Sequence, residues 1–318
     1  MSNSLQSSRR TFIRNAFITG AALPLIDTDV FGSTKPLPAE KLKVYIFSKH
    51  LQFLNYKELA DAVAEMGFDG IDLSVRPGGH VEPERVEGDL PKAAEAMKKA
   101  GLSPALMTTG VNGADDPTDR KLLATASGLG FKYYRMNWYH YPENKSMPDA
   151  IAEFGAKLKN LAAFNKELNI KGYYQNHSGA NVGSNIWEIY EMLKDADGEY
   201  LGAQYDIRHA IVEGSQSWEN GLKLISQRIQ TISLKDFKWK NEGESNVQDV
   251  PIGDGVINFD HYFKLLKQYN VSVPVSMHIE YPLGGAEHGD TKITMDRKDV
   301  FKAMKKDLKK IHDMWEKA

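Results

Sequence analysis

Hydrophobic and polar positions follow two alternating periods along most of this chain. Short runs rich in β-branched and aromatic residues, bounded by Gly, Asn, Asp and Ser, are typical of buried strands. The longer segments between them place apolar residues three and four positions apart, as an amphipathic helix does. The runs that predict strands are residues 42–48, 70–75, 103–108, 132–137, 170–176, 201–207, 230–236 and 273–280.

The helical segments have recognisable ends. Leu59, Val63 and Met66 share one face of a segment that stops at Gly67, a residue type that commonly ends helices. Asp116 before a proline predicts the start of another helix. The helices predicted in this way are residues 56–66, 90–100, 118–129, 149–169, 185–195, 217–228, 260–269 and 296–316.

Strand-then-helix units that repeat at roughly thirty-residue spacing predict an α/β fold, the (β/α)8 TIM barrel. We expect it to form a single domain over residues 41–318. A doubly wound open sheet is the alternative, but it would carry a Gly-rich fingerprint after its first strand. The chain instead has Ser48, Lys49 and His50 at that point.

The first forty residues have the features of an export signal. Arg9 and Arg10, then Phe12 and Arg14, precede a modest apolar run over residues 16–26. Paired arginines before such a run are typical of a twin-arginine signal, and the run is too short to span a bilayer. A disordered basic N-terminus is the alternative. We predict a signal peptide and linker over residues 1–40 and a periplasmic location for the mature chain.

Composition excludes several classes of function. The chain has 318 residues, 42% of them hydrophobic and 26% charged. Its formal net charge of −2 gives no electrostatic basis for binding nucleic acid or an anionic membrane. It contains no cysteine, which rules out disulfides, thiolate zinc sites and cysteine nucleophiles.

The last predicted strand carries an acid and an imidazole on one face. Ser276, His278 and Glu280 share that face because residues alternate sides along a strand, and Pro282 and Gly284 follow. A core histidine satisfied by hydrogen bonds would explain the pattern. A site at the C-terminal mouth of a parallel barrel would explain it equally well.

Histidines elsewhere favour the second interpretation, because they cluster after predicted strand ends. Two of the nine, His261 and His312, fall in predicted helices. Polar side chains at the C-terminal mouth of a barrel are typical of a catalytic site for a small molecule. The histidines on or just past strand ends are His50, His80, His140, His177, His209, His278 and His288.

The order of polar residues at the strand ends resembles the xylose isomerase-like superfamily of TIM barrels, the sugar (phosphate) isomerases and epimerases. Asp206-Ile207-Arg208-His209 matches the Asp-x-x-His pattern typical of strand six, and Glu280 matches the carboxylate of strand eight. The resemblance implies a divalent metal, Mn, Co, Mg or Zn, held by Glu, Asp, His and Glu on strands five to eight. It also implies that the two glutamates act as acid and base on an enediolate.

The sequence departs from that pattern at two ligand positions. Gln175 stands where the resemblance implies a glutamate, and Ser233 where it implies a histidine; both are poorer ligands for a divalent ion. Three accounts stay open: a metal held by substitute ligands, a metal-free acid and base enzyme, or a barrel that binds sugars without catalysis. The candidate metal ligands are Gln175, Asp206, His278 and Glu280, with His177 or His209 recruited as substitutes.

Other rim residues are assigned to catalysis or to substrate binding. Glu280, His177 and Lys235 are the candidate catalytic residues, and Lys235 shares a strand face with Ser233 that should point into the mouth. Asp236 faces the other way and is expected to bind a helix or loop. The candidate substrate-binding residues are Lys49, His50, Arg76, His80, Arg135, Asn137, Trp138 and His209, of which Arg76 and His80 would bind a phosphate or a sugar carboxylate.

The hypothesis from the sequence is proton transfer next to a carbonyl of a sugar or keto-glycoside, ending in isomerisation, epimerisation or β-elimination. Glu280 would be one base, provided that the crowded rim raises its pKa toward neutrality, and His177 or Lys235 would supply the opposing acid. Export favours a free or oxidised sugar, or a keto-glycoside, over a sugar phosphate.

The expected partner is therefore a carbohydrate, without nucleic acid and without a membrane span. The resemblance leaves a homo-oligomer open. An endonuclease of the related abasic-site type would need a multi-zinc cluster and a basic face, which neither the charge balance nor Gln175 and Ser233 support.

Overall fold

The computed structural model describes residues 41–240 and 247–318, so the predicted signal over residues 1–40 lies outside the described residues. Ten strands lie within the described ranges. They are β1 (Val44–Phe47), β2 (Gly70–Val75), β3 (Leu106–Thr109), β4 (Tyr133–Arg135), β5 (Lys171–Gln175), β6 (Leu201–Asp206), β7 (Ile229–Leu234), β8 (Asp236–Trp239), β9 (Val247–Val250) and β10 (Val275–Met277).

Eight of these strands close into a parallel barrel in the order β1-β10-β7-β6-β5-β4-β3-β2. The barrel closes at β1, which pairs with β10 on one side and β2 on the other. Ile46 lies opposite Met277 in the first pair and opposite Ile71 in the second. The predicted (β/α)8 TIM barrel is confirmed.

Helices follow the barrel strands along the chain. None of the described helices is long and apolar enough to cross a membrane. The helices of the described ranges are α1 (Tyr56–Met66), α2 (Val86–Lys99), α3 (Pro117–Leu129), α4 (Met147–Leu168), α5 (Ile186–Leu193), α6 (Ile207–Gly214), α7 (Trp218–Ile225), α8 (Phe259–Gln268) and α9 (Arg297–Lys317).

Local sequence fixes the helix ends. Asn55 forms a capping box at the start of α1. Its side chain accepts from the Glu58 N–H at 3.0 Å, and its own backbone N–H donates to the Glu58 carboxylate at 3.2 Å. Gly67 ends the same helix with φ of 88°, a conformation that glycine adopts without strain. Asp116 caps α3 as the Asp-Pro pair predicts.

The two faces of the barrel wall differ in polarity. Ile46, Ile71 and Leu73 point outward and are fully buried under the helices. The interior is polar near β2 and β10, where the Ser276 hydroxyl donates to Asp72 Oδ2 at 2.6 Å across the barrel. A polar interior is unusual, since branched apolar side chains fill most barrels.

Most predicted elements shift by a few residues at their ends, and the structure departs further from the sequence prediction at three places. The predicted strand 230–236 is broken after Leu234, because Asp236 opens the antiparallel hairpin of β8 and β9. The predicted strand 273–280 is paired only over Val275–Met277. The helix α6 was not predicted, since it begins directly at the end of β6 with Asp206 as its N-cap.

Candidate active site

A cavity of about 310 Å³ lies at the C-terminal mouth of the barrel, where the ends of the strands meet. Its size is at the lower end of the range for ligand sites. It also includes Phe47, Arg208 and Asp249, which were not predicted. The predicted site residues that line it are Lys49, Arg76, Arg135, Trp138, Gln175, His177, His209, Lys235, His278 and Glu280.

The backbone at the ends of β5 and β6 positions the centre of this site. Asn176 bonds to the backbone of Asp206 in both directions, at 2.8 Å from the N–H and 3.0 Å to the carbonyl. Asp206 is fully buried and also caps α6, accepting from the His209 N–H at 3.2 Å. The carboxylate is therefore held in one orientation by two strand ends and a helix start.

Four side chains form what we call the Asp206 cluster: Gln175, Asp206, His209 and Lys235. Lys235 Nζ lies 3.2 Å from Asp206 Oδ2 and 2.8 Å from His209 Nε2. The Gln175 amide donates to the same carboxylate oxygen at 2.9 Å. The other ring nitrogen of His209, Nδ1, lies 2.8 Å from Ser178 Oγ and 3.2 Å from Arg208 Nη1. Each polar group of the cluster has a partner.

Arg135 lies beside this cluster and is almost fully buried. Its Nη1 donates to Gln175 Oε1 at 2.7 Å, and its guanidinium carbon stands 4.3 Å from the centre of the Trp138 ring. Burial, together with the neighbouring charge of Arg76, lowers the pKa of Arg135 to about 10. It remains a cation at neutral pH.

His177 stacks between two rings of the site. Its ring centroid is 4.6 Å from that of Trp138 and 3.9 Å from that of His209. Nδ1 donates to the Ser178 carbonyl at 2.9 Å, so Nε2 carries the free lone pair. Burial, followed by the charge of Lys235, lowers the pKa of His177 to about 4. The ring is therefore neutral at pH 7 and acts as an acceptor.

The opposite side of the mouth, which we call the Glu280 edge, consists of Lys49, His278 and Glu280. Lys49 Nζ lies 3.2 Å from Glu280 Oε2, and the two side chains are 22% and 26% exposed. His278 Nδ1 lies 3.8 Å from the other carboxylate oxygen. His278 Nε2 is 3.1 Å from Ser276 Oγ, whose proton goes to Asp72, so Nε2–H must be the donor.

The charge around Glu280 corrects one expectation from the sequence. Burial alone would raise the pKa of Glu280, but the cations Lys235 and Lys49 outweigh it and lower the pKa to about 2. The crowded rim thus does not bring this carboxyl toward neutrality. Glu280 is a carboxylate throughout the neutral range.

Several predicted site residues lie away from the cavity lining. His50 is buried under the loop after β10, accepts from the Ile279 N–H at 3.0 Å, and has its pKa lowered to about 3 by burial. His80 contacts Ser74 Oγ at 3.2 Å, and Asn137 is also outside the lining. His140 and His288 are exposed, so three of the seven strand-end histidines line the cavity.

Two lining residues that were not predicted from the sequence form an ion pair over the site. Arg208 Nη2 lies 2.9 Å from Asp249 Oδ1, and Asp249 belongs to β9 of the hairpin. Arg208 stands inside the Asp-x-x-His pattern, so its position on a strand end was a usable signal. Asp249 had none, because the hairpin was not predicted. Asp236, as predicted, faces away and accepts from the backbone of Gly253 and Gly255.

The residues present do not fit a divalent metal at the Asp206 cluster. The ammonium of Lys235 already lies against Asp206 and His209, and the Gln175 oxygen accepts from Arg135. Two cations beside the carboxylate oppose a third. Within residues 41–240 and 247–318, no group of three or more His, Asp or Glu side chains is arranged to hold a metal ion.

Comparison with known protein families matches residues 60–304 to the xylose isomerase-like TIM barrel. The chain belongs to this family. The expectation drawn from its strand ends is thereby confirmed at the level of the family. Comparison with the curated proteins finds no match.

Solved structures share the fold at low sequence identity. The IOLI protein with a bound zinc atom has a TM-score of 0.67 at 18% identity, over 86% of this chain and 99% of that one. D-psicose 3-epimerase from Clostridium cellulolyticum H10, solved with D-tagatose, gives 0.64 at 13%, over 86% and 99%. The 3-keto-D-glucoside 4-epimerase YcjR from E. coli gives 0.63 at 13%, over 86% and 100%. Two of these three structures are sugar epimerases, and all three share the barrel fold of this chain.

Proposed function

We propose that this barrel catalyses proton transfer at the carbon next to a carbonyl of a sugar or keto-glycoside, as an isomerase or epimerase. The observation that carries the proposal is a carboxylate and a buried ammonium lining one small cavity. The Glu280 side chain is 26% exposed and the Lys235 side chain 6%. Such a pair answers the two demands of enolisation, a base for the carbon-bound proton and a positive charge near the carbonyl oxygen.

In the proposed step, the Glu280 carboxylate takes the proton from the carbon next to the carbonyl, although its pKa of about 2 beside Lys235 and Lys49 makes it a weaker base than the sequence hypothesis required. The electron pair of the C–H bond becomes a C=C bond, and the carbonyl pair moves onto oxygen to give an enediolate. Lys235, which is almost fully buried and held against Asp206, stabilises the negative oxygen. Return of the proton from Glu280 to the other carbon gives the isomer. The epimer needs a proton from a second acid on the opposite face of the same carbon, a role open to the Lys235 ammonium, and the proton left on Glu280 then passes through solvent to restore both groups.

His177 suits the transfer of hydroxyl protons in this scheme. Its ring is neutral and Nε2 carries a free lone pair, so it would accept a hydroxyl proton from the sugar and return it later. A neutral histidine is a weak acid, so it would not compete with Lys235 as the group that stabilises charge. The metal that the family resemblance implies has no part in this scheme, because the residues present do not fit it.

The test is solvent exchange. Ketohexoses and 3-keto-glycosides are incubated with the protein in D2O, and deuterium at the carbon next to the carbonyl is measured by NMR. We expect incorporation with the wild-type chain and a loss of about 10²-fold or more with Glu280→Gln. Glu65→Gln, which changes an exposed carboxylate on α1, is the matched control and should exchange normally.

The same experiment separates the alternatives. Release of the aglycone from a keto-glycoside, in place of an isomer, would assign β-elimination through the same enediolate. Sugar binding that Glu280→Gln leaves unchanged, without deuterium entering any bound sugar, would overturn the proposal in favour of a non-catalytic carbohydrate-binding barrel.

We also propose that the chain is exported through the twin-arginine pathway, on the strength of Arg9, Arg10 and Phe12. Fractionation of cells that express the full chain should find the mature protein in the periplasm. Replacing both arginines by lysine should retain it in the cytoplasm. Equal export of that variant would overturn the assignment.

A further inference from the structure

The charges that line the cavity do not balance. Three of its cations have carboxylate partners: Lys49 pairs with Glu280, Arg208 with Asp249, and Lys235 with Asp206. Two arginines are left. Among the described residues, neither Arg76 nor Arg135 has a carboxylate within ion-pair distance. A cavity with two such guanidinium groups on its wall attracts an anion.

Arg135 has an unused hydrogen-bonding edge. It is only 3% exposed, yet Nη1 is its one nitrogen with a hydrogen bond to a described residue, and its buried Nε has no partner. Leaving such a donor unpaired is costly, so a ligand group is the expected partner. The contact of Nη1 with Gln175 leaves Nε and Nη2, two parallel N–H groups on one edge of the guanidinium, and Nε is buried, so a ligand that bonds to both requires a small shift of the side chain.

Arg76 brings a second guanidinium to the same wall. It lines the cavity, and its guanidinium carbon stands 5.3 Å from the centre of the Phe47 ring. Its side chain has no hydrogen bond to a described residue. The two arginines are close enough for the charge of Arg76 to contribute to the low pKa of Arg135. Both rest on aromatic rings, which hold guanidinium planes without using their N–H donors.

We propose that Arg76 and Arg135 bind a carboxylate of the substrate, so that the substrate is an acidic sugar. Calling the bound acid a substrate rests on the proposed function. Binding of an anion to the two arginines can be measured whether or not the protein is catalytically active. The planar Nε–Nη2 edge of Arg135 matches the two oxygens of a carboxylate. The cavity holds roughly ten water volumes, which suits a monosaccharide acid.

The test uses simple anions as probes of the full chain. Malonate and inorganic phosphate are titrated separately while the Nε–H signals of the arginines are followed by ¹⁵N-resolved NMR. We expect malonate to shift the signals of Arg76 and Arg135 and to bind more tightly than phosphate. Arg76→Gln should weaken malonate binding about tenfold, since a charge-assisted bond is lost.

The matched control is Arg120, which stacks on Phe164 at 4.0 Å outside the cavity and whose side chain donates, among the described residues, to one backbone carbonyl. Arg120→Gln should leave malonate binding unchanged. Arg135 is buried and its replacement risks misfolding, so Arg76 is the residue that is substituted. The Nε–H signal of Arg135 then reports whether that guanidinium also contacts the anion. Malonate binding that survives Arg76→Gln, or no shift at either arginine, would overturn the anion site.

The two sources of negative charge are separated by the same titrations. Tighter binding of phosphate than of malonate, with the same two signals moving, would overturn the carboxylate in favour of a phosphoryl group. The solvent-exchange result is independent of these titrations. Anion binding without deuterium exchange would refute the proposed function and leave the anion site intact.

Discussion

The two sides of the barrel mouth use charged residues in different ways. In the Asp206 cluster, the carboxylate is fully buried and both of its oxygens accept from protein donors. At the Glu280 edge, the carboxylate is 26% exposed and pairs with a lysine that is itself 22% exposed. A ligand therefore cannot reach the carboxylate of Asp206. It can reach the carboxylate of Glu280.

This difference assigns different tasks to two carboxylates that sequence alone would treat alike. Asp206 is occupied in holding Lys235, so its contribution to chemistry passes through the ammonium. Glu280 pairs with Lys49 at the edge of the cavity, where both side chains are partly exposed and a substrate group can reach the carboxylate. Removing a buried charge that holds another buried charge lowers the stability of the fold. Removing a partly exposed base is expected to lower mainly the rate of the reaction.

The largest effect should come from Lys235→Met. It removes the charge proposed to stabilise the enediolate and leaves Asp206 buried without a cation. We expect exchange to fall roughly 10³-fold and the free energy of unfolding to fall by about 3–5 kcal/mol. Urea unfolding and the D2O assay measure the two effects. Lys238→Met, an exposed lysine on β8, should change neither.

A second variant separates the two consequences of that change. Lys235→Met combined with Asp206→Asn removes both charges, so much of the stability should return while the exchange rate stays low. Recovery of exchange in the double variant would contradict the role of Lys235 in stabilising the oxyanion.

A smaller effect distinguishes the two carboxylates directly. Asp206→Asn should lower the free energy of unfolding by several kcal/mol, because Lys235 loses its only carboxylate partner among the described residues. Glu280→Gln should lower it less, by at most about 3 kcal/mol, because the low pKa of Glu280 reflects a stabilised carboxylate but its pair with Lys49 is partly exposed. Urea unfolding of both variants at one pH tests this. Equal losses would remove the contrast between the two sides of the mouth.

Asp307 of α9 shows what a buried carboxylate does without a cation. It is fully buried, accepts from Tyr281 Oη at 2.8 Å, and has no salt bridge to a described residue. Burial raises its pKa to about 6, against the opposing bond from Tyr281. The folded state thus holds this proton more tightly than the unfolded chain, so stability is lost as pH rises from roughly 4 to above 6.

The corresponding prediction compares Asp307→Asn with the wild-type chain. The variant has no proton to lose, so its free energy of unfolding should exceed that of the wild type by more at pH 8 than at pH 4.5. The difference should reach at most roughly 3 kcal/mol. Parallel unfolding curves at the two pH values measure it, and a constant difference would show that burial does not perturb this carboxyl.

The fold was predictable because each repeat carries its own local signals. Strand and helix positions came from periodicity, and ends such as Gly67 and Asp116 came from backbone geometry that few residues satisfy. The hairpin of β8 and β9 was missed because it interrupts the repeat directly after a barrel strand. The helix α6 was missed because Asp206 serves both as a strand end and as its N-cap.

The candidate site was predictable in position but less so in detail. Residues at strand ends were placed correctly around the mouth, among them Gln175, Lys235 and Glu280. His50 and His80 follow strand ends in sequence, but the chain turns them away from the cavity, and periodicity does not report such turns. The pKa of Glu280 could not be predicted from the sequence either, because it depends on Lys235 and Lys49, which follow strands far apart along the chain.

The smallest expected effect concerns added or removed metal. Protein purified without chelators or metal-affinity steps should hold substoichiometric Mn, Co and Zn by elemental mass spectrometry, and EDTA should leave the exchange rate unchanged. The reason is that the ammonium of Lys235 already contacts Asp206 and His209, the side chains that a metal ion would need as ligands. In the double variant Gln175→Glu/Lys235→Ser, the second change removes the ammonium and the first adds a carboxylate beside Asp206 and His209. This variant should bind zinc where the wild type does not. Near-stoichiometric metal in the wild-type chain, lost on Asp206→Ala, would show instead that the cluster opens to admit an ion, and the lysine would then have to be assigned to the substrate alone.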